Sequence, residues 1–195
     1  MDNKHQLFEI ADRQQGYFTN AQAELCGFSR TNFHRYLSNG EWVKECRGIY
    51  RLVRYPITNR PELVLWSLWS RNKSGTAQGV WSHETALDIY ELSDVMPTKM
   101  HMTVPKKFRK RAAIPAVLVL HFEDLTKEDI RFQQGYMVTS PLRTLIDIVE
   151  SNRLSNDLVS QALHDALYKG VVSREEIRDS NKNPMAIKKL MELLK

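Results

Sequence analysis

The chain has 195 residues, of which 42% are hydrophobic and 26% charged, with a formal net charge of +5. That composition supports a packed core over most of the length and excludes an intrinsically disordered chain, while the length allows one large domain or two small ones. No apolar run approaches the roughly 18 residues that a membrane helix needs, and the modest basic excess favours a polyanionic partner.

The polar start Met1-Asp2-Asn3-Lys4-His5-Gln6 has no secretory character, so a cytoplasmic setting is expected. The two cysteines, Cys26 and Cys46, are then read as reduced core thiols. Residues 6–11 open a helix that should turn Leu7, Phe8 and Ile10 inward. After Gly16 comes a short extended piece ending at Thr19. Thr19 with Gln22 three residues on is a capping box for a helix over 20–26, which Gly27 stops. Ser29 is expected to cap a second helix, 29–39, which Gly40 stops. Phe33, Tyr36 and Leu37 share one face of it, and Arg30, Thr31, His34 and Arg35 share the other.

Two short helices joined by a glycine-containing turn form a helix-turn-helix pattern. Trp42-Val43 and Ile49-Tyr50-Arg51-Leu52 then alternate as strands about Cys46-Arg47-Gly48, where a winged helix carries its wing. A recognition helix must hold to its domain by an apolar face and reach phosphates and base edges with a polar one. Arg30, Thr31, His34 and Arg35 are therefore the candidate groove-facing residues, and Lys44, Arg47 and Arg51 the candidate wing contacts. Four basic residues in or just after the hairpin, Arg54 included, favour DNA over a purely protein-binding wing.

Pro56 and Pro61 bracket a polar stretch and mark a domain boundary. The expected organisation is a DNA-binding module over 1–58 and a small mixed α/β domain with a helical C-terminal end over 59–195, an α+β chain. Helices are expected over 61–69 and 83–90, the latter capped by Ser82. Strands are expected over 99–104 and 116–121, with a pair at 131–132 and 136–139 about Gly135. Ser140-Pro141 starts a helix that runs to about 149. Further helices follow over 156–169, from the capping box Ser173-Arg174-Glu175-Glu176, and over 185–194.

The strongest local charge lies outside the helix-turn-helix. Lys99, Lys106, Lys107, Arg109, Lys110 and Arg111 fall within 13 positions without an acidic residue, whereas residues 1–58 carry eight basic against six acidic side chains. The run Lys106, Lys107, Arg109, Lys110 and Arg111 is either a solvated loop between two strands or a second phosphate-binding or antitoxin surface.

Enzyme signatures are not visible. There is no Glu-x-Lys triplet of a restriction-type nuclease, no Gly-x-x-x-x-Gly-Lys or Gly-x-Gly-x-x-Gly loop, no Gly-x-Ser-x-Gly elbow, and no His/Cys spacing suited to zinc. No catalytic residue, metal or cofactor is assigned. His83 reads as a first-turn helix residue with a satisfied ring. Arg143 and Asp147, at i and i+4, read as an ion pair on a helix surface, worth about 0.2–0.5 kcal/mol.

Three motifs in order carry a family resemblance: Ser82-His83-Glu84-Thr85-Ala86-Leu87, then His101-Met102-Thr103-Val104-Pro105, then Val138-Thr139-Ser140-Pro141-Leu142-Arg143-Thr144-Leu145-Ile146-Asp147. Behind an N-terminal winged helix, this order resembles the AbiEi-type antitoxins of type IV toxin–antitoxin systems. The resemblance implies a repressor that binds repeats in the promoter of its own operon. It also implies a C-terminal domain that opposes a nucleotidyltransferase toxin without requiring a stable complex with it. The alternatives are a stand-alone winged-helix regulator and a metal-dependent nucleic-acid enzyme of unfamiliar type.

Overall fold

The computed structural model describes residues 2–194. They form two compact units, residues 2–79 with 132–137 and residues 80–131 with 138–194.

In the first unit, helix α1 (Asn3–Asp12) leads into strand β1 (Tyr17–Thr19). Leu7 and Ala11, one turn apart, are buried. Phe8, expected inside, is 48% exposed because it stands one residue off that stripe. Thr19 caps α2 (Asn20–Leu25): its hydroxyl accepts the Gln22 amide at 3.2 Å, and Gln22 Oε1 accepts the Thr19 amide at 2.8 Å. The reciprocal box is the one the sequence pattern predicts. Gly27, at φ +84°, lets the chain turn so that the Phe28 amide donates back to the Ala23 carbonyl.

The next helix departs from expectation. A 3-10 turn, Arg30–Asn32, precedes α3 (Phe33–Ser38), in place of one helix over 29–39. Ser29 makes no capping bond, because its hydroxyl lies 2.7 Å from Thr31 Oγ1 instead. With one amide partner missing, the start of the helix tightens to the 3-10 form. Strands β2 (Trp42–Cys46) and β3 (Ile49–Leu52) pair as an antiparallel hairpin, and β1 adds to β3, giving the order β1-β3-β2.

Trp42 organises this unit. The rings of Phe18, Phe28, Phe33 and Tyr36 lie 4.8, 5.2, 5.2 and 4.6 Å from it, three edge-on and Tyr36 stacked. Aromatic pairs in these geometries add to the burial energy. Strand β2 and helix α3 are thereby joined through one side chain. Helix α4 (Pro61–Trp69) buries Leu63, Val64, Ser67, Leu68 and Trp69, and it lies against β1 and β3. The compact unit consequently runs past the Pro56–Pro61 break to Gly79.

The second unit contains β4 (Val80–Trp81), α5 (His83–Tyr90), β5 (Met100–Val104) and β6 (Leu118–Phe122). Strands β7 (Ile130–Gln133) and β8 (Tyr136–Thr139) complete a five-stranded sheet of order β6-β5-β4-β8-β7. It is mixed: β4 is antiparallel to β5 and parallel to β8, and β5 is parallel to β6. The two-residue β4, at the sheet centre, is too short to show alternation in the sequence. Helices α6 (Pro141–Ser151), α7 (Asn156–Tyr168), α8 (Arg174–Asp179) and α9 (Pro184–Glu192) form the helical end. Their shared core includes Leu87, Leu145, Ile148, Leu163, Ile177 and Leu190.

Replacing Trp42 by Ala should destabilise the first unit by about 3–5 kcal/mol, read by urea unfolding, with Trp42→Phe costing clearly less. A loss below about 1 kcal/mol for the alanine variant would contradict the central role of this ring.

Candidate nucleic-acid interface

The turn Arg30–Asn32 and helix α3 present two faces. Phe33 is buried and Tyr36 and Leu37 are half-buried, while Arg30, Thr31, His34 and Arg35 are all exposed. Arg30 Nε lies 3.8 Å from Glu24 Oε1, a loose surface pair. His34 Nδ1 lies 2.8 Å from the Thr31 carbonyl, which orients the ring. Arg35 is in no ion pair among the described residues. Two guanidiniums, a hydroxyl and an imidazole thus stand on the side opposite the aromatic anchor.

The hairpin separates its three candidate cations. Lys44 and Arg47 are exposed and in no ion pair among the described residues. Arg51 is half-buried, with Nε 2.9 Å from Glu45 Oε1. Its charge is largely spent on Glu45, a relation the sequence pattern did not reveal. Gly48 turns the hairpin at φ +75°, where a side chain would be strained.

In the second unit, the basic run is part of a crossover. Because β5 and β6 are parallel, the connection has to carry the chain back along the sheet, unlike a hairpin turn. Lys106, Lys107, Arg109 and Arg111 are exposed and Lys110 is half-buried. Phe108, among them, is only 4% exposed and fastens the segment. Arg109 Nη1 donates to the Phe108 carbonyl at 2.8 Å.

The structure also assembles a buried polar cluster that the sequence reading missed. His83, His101 and His121 come together, with the His83 and His121 rings stacked at 3.6 Å. His101 Nδ1 is 3.0 Å from His121 Nε2 and 3.1 Å from Glu84 Oε2. Ser82, expected to cap α5, makes no capping bond. Its hydroxyl meets His83 Nδ1 at 2.9 Å and accepts from Thr103 at 2.8 Å. His83 itself adopts φ +52°, a conformation costing a non-glycine residue about 1–3 kcal/mol.

The Arg143–Asp147 pair lies inside the fold, contrary to the surface pair expected. Arg143 is 8% and Asp147 2% exposed. Arg143 Nε donates to Asp147 Oδ1 at 2.6 Å, and its Nη2 donates to Glu123. Helix α6 packs against α5, α7 and α9, so this i, i+4 pair lies within the fold and not on a free helix surface. Two carboxylate oxygens of the cluster, Glu84 Oε2 and Asp147 Oδ2, are buried without a hydrogen bond. Among the described residues, no group of three or more His, Cys, Asp or Glu side chains is placed to hold a metal ion.

Burial shapes the titration of the cluster. It lowers the His83 imidazole from 6.5 to about 2, helped by His121 and His101. It lowers His101 and His121 to about 4. Burial raises the Asp147 carboxyl to about 7, against the downward pull of Arg143. For Arg143, burial acts downward, but Asp147 and Glu123 raise the guanidinium overall.

The unfolded chain therefore takes up histidine protons before the folded chain does. The histidine contribution to stability is intact above pH 6.5 and is lost as pH falls through about 4. Asp147 works in the opposite sense: its contribution is full below 3.8 and is lost as pH rises through about 7. On the acid side the three histidines dominate, so the thermal midpoint of the second unit should drop by at least about 2–4 °C between pH 6.5 and 4.5. Calorimetry of the wild type and of His101→Gln with His121→Gln checks this. An acid-side slope equally steep in the double variant would show that other groups set it.

Comparison with known proteins fits this geometry. Residues 5–53 match a family model described as "Transcriptional regulator, AbiEi antitoxin", a span covering α1 through the hairpin. The crystal structure of the RV2827C protein from Mycobacterium tuberculosis matches with a TM-score of 0.56 at 13% identity, covering 98% of this chain and 76% of that one. At that identity the likeness is one of fold. No curated protein matches the chain. Among the described residues, no helix is long and apolar enough to cross a membrane. Over residues 5–53, from α1 through the hairpin, the chain is thus similar to the AbiEi-type antitoxin family of transcriptional regulators.

Proposed function

We propose that this protein is a winged-helix repressor of its own operon and an antitoxin opposing a nucleotidyltransferase toxin. The observation that carries the DNA-binding part is the division of α3 and its preceding turn. Phe33 and Tyr36 fix one side on Trp42, so the exposed Arg30, Thr31, His34 and Arg35 have a rigid base from which to enter a major groove. Arginine forks there read guanine, and the shorter polar groups support them. Lys44 and Arg47, on the hairpin acting as wing, meet the flanking backbone. Arg51 contributes from its pair with Glu45, mainly by holding the hairpin's shape.

We assign DNA recognition to residues 1–58 and the antitoxin role to residues 59–195, with α4 serving as structural support for the first. The partners are double-stranded promoter DNA and the toxin. The toxin is opposed through its action, without a lasting complex. The setting is the cytoplasm, and no chemistry of the protein's own is required. Support for the antitoxin part comes from the family described for residues 5–53 and from the ordered motifs of the second unit.

On duplex DNA from upstream of its gene, binding should weaken steeply with salt as displaced counterions return to phosphate. Arg30→Ala or Arg35→Ala should cost about 1–3 kcal/mol on the preferred sequence and far less on random duplex. Anisotropy titrations on both duplexes measure this, and equal binding of the two by the wild type would refute an operator.

The two roles should also separate genetically. The full chain with Arg30→Ala and Arg35→Ala should lose promoter repression and still rescue growth against a co-expressed nucleotidyltransferase toxin. Loss of rescue together with repression, in a protein of unchanged thermal midpoint, would mean that neutralisation depends on DNA binding.

A further inference from the structure

The crossover between β5 and β6 offers more than charge. Its root is held beside the end of the edge strand β6: Val104 pairs with Phe122, and the Lys106 amide donates to Asp124 Oδ1 at 3.1 Å. Phe122 is 51% exposed at this point. The adjacent carboxylates are occupied, Glu123 by the Arg143 guanidinium and Asp124 by the Lys106 amide. Lys106, Lys107, Arg109 and Arg111 are exposed and in no ion pair among the described residues. Phe108 fastens the segment, so these cations are presented from a held backbone.

An exposed aromatic ring beside the root of a cationic segment is poorly suited to a duplex, whose bases stack on one another and hide their faces. It suits a strand whose bases are free to stack on a ring while its phosphates lie along the cations. We propose that the crossover 105–117 and Phe122 bind single-stranded nucleic acid, with Phe122 stacking a base and Lys106, Lys107, Arg109 and Arg111 contacting phosphates. This surface is independent of the groove-facing residues of the first unit, and it gives the second unit a nucleic-acid ligand of its own.

The test uses the full chain carrying Arg30→Ala, Arg35→Ala, Lys44→Gln and Arg47→Gln, which removes the proposed duplex contacts, so that failure of the duplex-recognition reading does not affect it. Anisotropy is measured on oligouridine and oligothymidine about 20 nucleotides long, beyond the usual single-strand footprint, and on a random duplex of equal length. Single strands should bind more tightly than the duplex. Phe122→Ala should weaken single-strand binding about tenfold, equivalent to about 1.4 kcal/mol, and leave duplex binding unchanged. Phe122→Tyr should retain the affinity and Phe122→Leu should not, which separates ring stacking from mere apolar contact even if the alanine variant folds poorly.

Changing Lys106, Lys107, Arg109 and Arg111 together to Gln should flatten the salt dependence by up to about 3 logarithmic units per decade of salt. A preference for oligouridine identifies RNA as the source of the ligand, a preference for oligothymidine identifies DNA, and equal affinity identifies single strands of either kind. The proposal is overturned if single strands bind no better than the duplex. It is equally overturned if Phe122→Leu binds as well as Phe122→Tyr, or if the four-Gln variant keeps the full salt slope.

Discussion

A guanidinium almost out of reach of water has to be surrounded by acceptors, and Arg143 finds them on two different elements. Asp147 lies one turn along the same helix, and Glu123 follows the end of β6. This shared charge ties α6 to the edge of the sheet. On an exposed helix, the same i, i+4 spacing would contribute a few tenths of a kcal/mol. Inside the fold, removing one partner of such a pair costs about 3–5 kcal/mol, because the charge left behind has no water to compensate it. Helix α6 also packs on α5 and brings Asp147 Oδ2 to 4.0 Å from His83 Nδ1, at the side of the polar cluster of Ser82, His83, Glu84, His101, Thr103 and His121.

The first unit solves a different problem with different means. A helix that exposes polar side chains along most of one side has little apolar surface left to fix it. Here two rings of that helix, Phe33 and Tyr36, are set against a single indole. Concentrating the attachment in Trp42 frees the rest of the helix for solvent and for a partner. The capping box at Thr19 and the left-handed Gly27 fix the preceding helix, so the turn between the two is set by local bonds.

Such local determinants explain what could be read in advance. Capping pairs, glycine stops and alternation in the hairpin act over a few residues, and α2, β2, β3, α6 and α8 lie close to where those signals put them. Ser29 misled because its hydroxyl chose the neighbouring Thr31 over a backbone amide. The cluster of the second unit was not legible, since His83, His101, His121 and Asp147 are scattered along the chain and meet only through the pairing of β5 with β6 and the packing of α5 on β5 and α6. The same pairing turned an apparent loop at Lys106–Arg111 into a crossover, and the packing of α6 against α5, α7 and α9 moved Arg143 and Asp147 from a surface to an interior.

That parallel pairing carries a further consequence. In β5, His101 and Thr103 enter the polar layer, while the alternate residues Met102 and Val104 are buried with no polar group to offer it. If β5 slid by one residue, thioether and isopropyl groups would face Glu84 and Ser82, and an imidazole would enter an apolar environment without a partner. Alternation makes every one-residue error reverse both faces at once. The histidines therefore act as an alignment code for the sheet. They disfavour neighbouring alignments that a wholly aliphatic strand would tolerate, whatever other part they play.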